Sequence, residues 1–97
     1  MTYSLPTSLK LLDGATATGA GEWVRLPLNK VFEVVGITTA TVVIEYRVHN
    51  GGTARTLHTF TADDVQENNQ AVFECRANVT SYTSGTIDVY VSVIQAS

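Results

Sequence analysis

The chain has 97 residues, of which 44% are hydrophobic and only 15% charged, with six Lys and Arg against nine Asp and Glu for a net charge of −3. This length suits one domain with a single core, and the sparse, net acidic charge excludes the basic face that a nucleic-acid partner requires. No apolar run approaches the ~20 residues of a membrane span, and the start of the chain lacks the basic-then-apolar pattern of a signal peptide, so the expectation is a soluble protein made in a reducing cytoplasm.

Taken in chain order, the segments read as strands and turns. Val, Thr, Gly and Ser dominate, and Val and Thr favour pleated surfaces. Leu9 to Asp13 reads as a short edge strand behind Pro6. Ala15 to Gly21 is small and Gly-rich and reads as a loop, so residues 1–21 are expected to form an extended N-terminal arm. Glu22 to Leu26 and Lys30 to Val35 read as two strands around Pro27-Leu28-Asn29. Gly36 to Ala40 then links to a strong strand, Thr41 to His49. Thr53 to Ala62 follows, then a polar loop, Asp63 to Asn69, with room for one helical turn capped by Asp63 or Asp64. Gln70 to Val79 and Thr86 to Ile94 close the chain around a polar turn, Thr80 to Gly85. In the last run Ile87, Val89, Val91 and Val93 share one face, and Thr86, Asp88, Tyr90 and Ser92 share the other, which is the period of a half-buried strand. About seven short strands with regular turns predict an all-β fold, a small antiparallel sandwich of jelly-roll-like or immunoglobulin-like architecture filling residues 1–97 as one domain.

The sharpest local signal is His49-Asn50-Gly51-Gly52-Thr53, where Asn-Gly and Gly-Gly supply the positive φ of a tight hairpin. A Gly51-Gly52 tip would set Glu45 opposite His58 and Val43 opposite Phe60. An Asn50-Gly51 tip shifts each pair by two and keeps the faces. Under either tip, Ile44, Tyr46 and Val48 face the core with Phe73, Cys75, Ala77, Val89 and Val91, while Val43, Phe60, Val72 and Tyr90 face away from it.

Candidates for chemistry are few. Glu45 and His58 have the residue types of a carboxylate–imidazole pair, but no nucleophile or orienting group accompanies them, and they read instead as an exposed cross-strand pair. His49 and His58 cannot share one face of a straight strand, so they make a poor metal pair. Asp63, Asp64 and Glu67 lack the alternating pattern of a calcium loop. Gly14, Gly19 and Gly21 lack the lysine and following helix of a phosphate loop; they suit close backbone approach instead. Asn78-Val79-Thr80 matches a glycosylation acceptor by accident. Cys75, the lone cysteine, reads as a small buried core residue. No cofactor or metal is expected, and the chain reads as non-enzymatic.

Two segments carry a resemblance. Arg76 to Val91, RANVTSYTSGTIDVYV, resembles the closing strands of small β-sandwich virion proteins of tailed bacteriophages. Leu11 to Val24 resembles their opening patch, with a strand of the Thr41–Glu45 type and a Gly-rich hairpin between. The resemblance implies a virion component of the head or decoration type, made in the host cytoplasm and bound to the major capsid protein or another virion protein. Beside it, the outward apolar residues Val43, Phe60, Val72 and Tyr90, with Trp23 as an interface anchor, are expected to make subunit or capsid contacts. Self-association, with a trimer as the expected state, would follow from apolar burial and strand-edge pairing. The alternative is a β-sandwich that binds carbohydrate or a host surface, with Trp23, Tyr82 and Tyr90 as stacking groups; it requires two or more of them on one exposed patch.

Overall fold

The structure is a computed structural model that describes residues 4–96. It is all-β, with strands β1 (Ser4–Ala15), β2 (Gly19–Ala20), β3 (Lys30–Arg47), β4 (Arg55–Phe60), β5 (Asp64–Asn68) and β6 (Glu74–Ala96), and no helix among the described residues. Every pairing is antiparallel.

Two long strands form the spine. β3 and β6 pair from Lys30↔Val93 to Arg47↔Glu74. On the far side of β6 lie β1 and then β2; on the far side of β3 lie β4 and then β5. One half of the sheet is therefore β1, the end of β6, the start of β3, and β5. The other half is β2, the start of β6, the end of β3, and β4.

Chain connectivity forces these halves together. Val24 bridges Cys75 near the start of β6, yet Lys30, six residues later, pairs with Val93 near its end. Six residues reach at most ~20 Å, whereas a straight strand from Cys75 to Val93 would cover about 60 Å. A second short crossing repeats the constraint: Asn68 pairs with Lys30, and Phe73 N–H donates to Arg47 O at 3.0 Å. The sheet must fold back on itself. Burial agrees, because Phe32, Val34, Val89 and Val91 of one half and Val42, Ile44, Cys75 and Ala77 of the other are all 0% exposed. A single open layer would leave such a face wet; here each half covers the other, as in a two-layer β fold.

The bend lies where Gly36 and Gly85 cross. Both have positive φ, 92° and 126°. A Cβ on Gly36 would sit 1.9 Å from Thr86 O, and one on Gly85 would sit 2.5 Å from Gly36 O. The β3–β6 register slips several times between Val35 and Val42, as bulges bend and twist a ladder.

Several expected boundaries change. Thr80 to Gly85 is no turn: it continues β6, so the two closing strands are one strand of 23 residues. Lys30–Val35 and Thr41–His49 likewise merge into β3. Asp64–Asn68 is a strand on the open flank of β3, not a loop or helical turn. Glu22–Leu26 contributes only the Val24 bridge. The expected arm is, over its described part, an integral edge of the sheet through β1 and β2. The result is six strands where about seven were expected.

The hairpin turns at Asn50-Gly51, where Gly52 N–H donates to His49 O at 2.9 Å. Tyr46↔Arg55 and Glu45↔Thr56 follow that tip, but a bulge then shifts the pairing to Ile44↔His58 and Val42↔Phe60. A one-residue slip reverses the face of all that follows. Phe60 is therefore 2% exposed and in the core, which corrects its expected outward position. Val48, expected inside, lies beyond the end of β3 and is 63% exposed.

Candidate functional site

Because both halves bury one face, what remains for function is the outer face of each. On β3 the outward residues are odd-numbered and on β6 even-numbered, the complement of the buried sets Phe32, Val34, Val42, Ile44 and Ile87, Val89, Val91.

The outer face of the β2–β4 half carries a charge ladder under an indole. Glu45 lies opposite Arg76, and Arg47 opposite Glu74. Arg76 Nε donates to Glu45 Oε1 at 2.8 Å, and Arg47 Nε to Glu74 Oε1 at 2.8 Å. Asn78 Nδ2 adds a longer bond to Glu45 Oε2 at 3.4 Å. The four side chains are only 15–26% exposed. Trp23, held beside β6 by the Val24–Cys75 bridge, completes the cluster: Arg47 Cζ and Arg76 Cζ lie 4.5 and 4.4 Å from its ring. Cation–π contact holds guanidinium and indole together while the carboxylates hold the guanidiniums flat. Arg25 lies 4.5 Å from the Phe73 ring nearby. Val43 is half-buried in the same face, opposite Asn78 and Thr59.

The outer face of the β1–β5 half differs. One row across four strands reads Val65, Glu33, Tyr90, Lys10. Lys10 Nζ lies 5.2 Å from the Tyr90 ring, 3.0 Å from Asp13 and 3.7 Å from Asp88. The Asp13 hydrogen bond holds the Lys10 pKa above its ordinary value despite some desolvation. Asp88 also accepts from Gly14 N–H at 2.8 Å. A groove of about 370 Å³ runs here between Ser8, Val31, Glu33, Val65, Tyr90 and Ser92. Val65 and Val35 are 53% and 39% exposed.

The five expected contact residues thus do not form one patch. Trp23 and Val43 share the first face and Tyr90 lies on the second. Phe60 is in the core, and Val72 packs against the core. Tyr82 also packs against the core and donates its hydroxyl to Gly85 O at 2.6 Å.

Other candidates resolve into structure. Glu45 pairs with Arg76, not His58, because the bulge moves His58 opposite Ile44, where it lies edge-on to Phe60 at 4.6 Å. His49 Nδ1 contacts Asn50 O at the hairpin. Asp63 accepts from Ile37 N–H at 2.7 Å beside the bend, and Asp64 from Val65 N–H at 2.8 Å. Among the described residues no group of three or more His, Cys, Asp or Glu stands ready for a metal. Cys75 is fully buried, and burial pushes its pKa from 9.0 to about 11.

Sequence reasoning missed the Arg–Glu ladder, Arg25 and Lys30. Pairing β3 directly with β6 would have aligned Glu45-x-Arg47 with Glu74-x-Arg76 in opposite order. Lys30 is 2% exposed, and its ammonium donates to Gln70 O at 2.7 Å, Leu28 O at 3.0 Å and Pro27 O at 3.4 Å. It ties both short crossings to the closed end of the fold, and burial lowers its pKa.

The fold and these faces define a small, all-β, two-layer protein whose paired charges and aromatic groups lie on its outer faces. The solved structure of the SPBc2 prophage-derived protein YomS shares this fold, with a TM-score of 0.81 over 98% of this chain and 97% of that one, at 16% identity. The structural neighbour is thus a prophage-derived protein. No family model and no curated protein matches the chain.

Proposed function

We propose that this chain is a non-enzymatic structural component of a bacteriophage particle and, within that class, a decoration or cement protein bound to the head shell. The full-length fold likeness to a prophage-derived protein carries this reading. The composition of the outer faces adds to it: Trp, Tyr and Arg are the residue types that dominate binding energy at protein interfaces. Trp23 held over two paired arginines is an ordered anchor, so little side-chain entropy remains to be lost on docking. Many copies on a shell add avidity, so each contact can be weak.

The carbohydrate-binding alternative gains no support from the aromatics. Trp23 and Tyr90 lie on the outer faces of different halves, and Tyr82 packs against the core. The test is co-sedimentation of the purified chain with empty head shells. Saturable binding that weakens in a Trp23→Ala or a Val65→Arg variant is the expected result; no binding to shells, with retention on a glycan surface, would replace this reading by the alternative.

A further inference from the structure

The tip of the β3–β4 hairpin carries reactive groups that the ladder beneath it positions. Asn50 and Gly51 form the turn and both are exposed. Gly52 N–H closes the turn on His49 O at 2.9 Å, whereas Gly51 N–H has no backbone acceptor among the described residues. A Cβ on Gly51 would meet nothing within 4 Å, so the tip has room to turn. Glycine puts no side chain beside its own nitrogen, which leaves that nitrogen open to the preceding side-chain amide.

Two further groups bear on a reaction between them. Arg47 Nη2 donates to Asn50 Oδ1 at 3.4 Å. Its guanidinium is held by Glu74 and lies against Trp23, so it stands ready to stabilise negative charge on Oδ1 when the amide carbon is attacked. His49 Nδ1 lies 3.0 Å from Asn50 O, and because a carbonyl only accepts, the ring nitrogen donates. Asn50 O belongs to the same peptide group as Gly51 N. That bond therefore stabilises the charge left when Gly51 N loses its proton. Arg47 favours the electrophile and His49 the nucleophile.

The other asparagines lack this set. Asn29, Asn68, Asn69 and Asn78 precede Lys30, Asn69, Gln70 and Val79, whose side chains crowd the next nitrogen. Asn68 Oδ1 accepts from Gln70 N–H at 2.8 Å, and Asn78 Nδ2 donates to Glu45 within the ladder.

We propose that Asn50 is a self-modification site, losing its side-chain amide through a cyclic imide formed with Gly51. Gly51 N gives up its proton and bonds to Asn50 Cγ. The Cγ–Nδ2 bond breaks, and the nitrogen takes up a proton and leaves as ammonia. Water then opens the imide at either carbonyl, giving aspartate or isoaspartate. Either product adds a carboxylate within reach of Arg47, at the rim of the Trp23 face. Isoaspartate also lengthens the backbone of the turn, which breaks the fit of Gly52 N–H to His49 O.

Incubating the purified chain for weeks at neutral pH in water labelled with heavy oxygen, followed by peptide mass spectrometry, tests this. Acid should accumulate at Asn50 ahead of every other asparagine, with solvent oxygen in both products and isoaspartate the larger share. His49→Ala and Arg47→Met should each slow the conversion by about two- to tenfold, the equivalent of one hydrogen bond. Thermal melts show whether each variant is folded during incubation. His49 is exposed at the tip, so its variant should melt as wild type does; if Arg47→Met unfolds, the His49→Ala rate decides. An Asn50 that stays an amide, conversion led by another asparagine, or a folded His49→Ala variant as fast as wild type would overturn the proposal. None of these readouts depends on shell binding.

Discussion

Gly36→Ala tests the bend directly. At φ +92° an L-residue is strained by roughly 1–2 kcal/mol. The new methyl would also sit 1.9 Å from Thr86 O and 2.9 Å from Thr86 C, both backbone atoms that cannot rotate away. Moving one strand of the ladder to relieve that contact should cost about 1–3 kcal/mol more, as overpacking does. The total, about 2–5 kcal/mol, is a large share of the ~5–15 kcal/mol of a typical domain. At roughly 4–8 °C per kcal/mol for a domain of this size, the melting temperature should fall by about 10–40 °C. Gly51→Ala is the control. Its φ is +79° but nothing lies within 4 Å of the added carbon, so only the strain of about 1–2 kcal/mol applies. Urea unfolding of the two variants beside wild type gives both values. If they lie within about 0.5 kcal/mol of each other, inside the usual scatter of such measurements, the close crossing of Gly36 and Thr86 is refuted.

Three further outcomes follow from the core and its closed end. Val89→Asp should leave the protein unfolded or insoluble, since it buries a carboxylate without a partner, whereas Asp88→Ala should cost about 1 kcal/mol through its lost bond to Gly14 N–H; soluble expression and thermal melts separate them. Cys75 titrates near 9.0 when unfolded and about 11 when folded, so its contribution is complete below pH 9 and is lost as pH rises through about 11. Wild type should therefore lose about 2–3 kcal/mol more than Cys75→Ala between those limits, and equal slopes in urea titrations at pH 8, 10 and 11 would contradict the burial. Lys30→Met should cost about 2 kcal/mol, because the carbonyls of Gln70 and Leu28 lose their donor at a closed site; an unchanged urea midpoint would show that water replaces the ammonium freely.

The class of fold was legible because alternation survives any error in strand boundaries. Ile87, Val89, Val91 and Val93 read correctly as one buried face, as did Ile44, Cys75 and Ala77. The boundaries failed where a local signal has two meanings. Gly36 and Thr80–Gly85 look like turns, yet here glycine serves a crossing of two continuous strands. Asp64–Asn68 looks like a loop because an edge strand on an open flank needs no apolar alternation. Phe60 was misplaced by a single bulge near Leu57, an event no pair-counting from the hairpin tip detects. The outer-face chemistry was half legible. Trp23, Val43 and Tyr90 were singled out from residue type and parity, but the ladder beneath Trp23 depends on β3 and β6 being neighbours along their full length.

The proposed role as a structural part of a phage particle requires the chain to be present in the particle. Quantitative mass spectrometry of phage particles purified from cells that produce the chain tests it. Many copies per particle, in fixed ratio to the major capsid protein, is the predicted result. A handful of copies would move it from the head surface to a neck, spike or tail position. Absence from particles, with the chain abundant in the infected cell, would contradict the account.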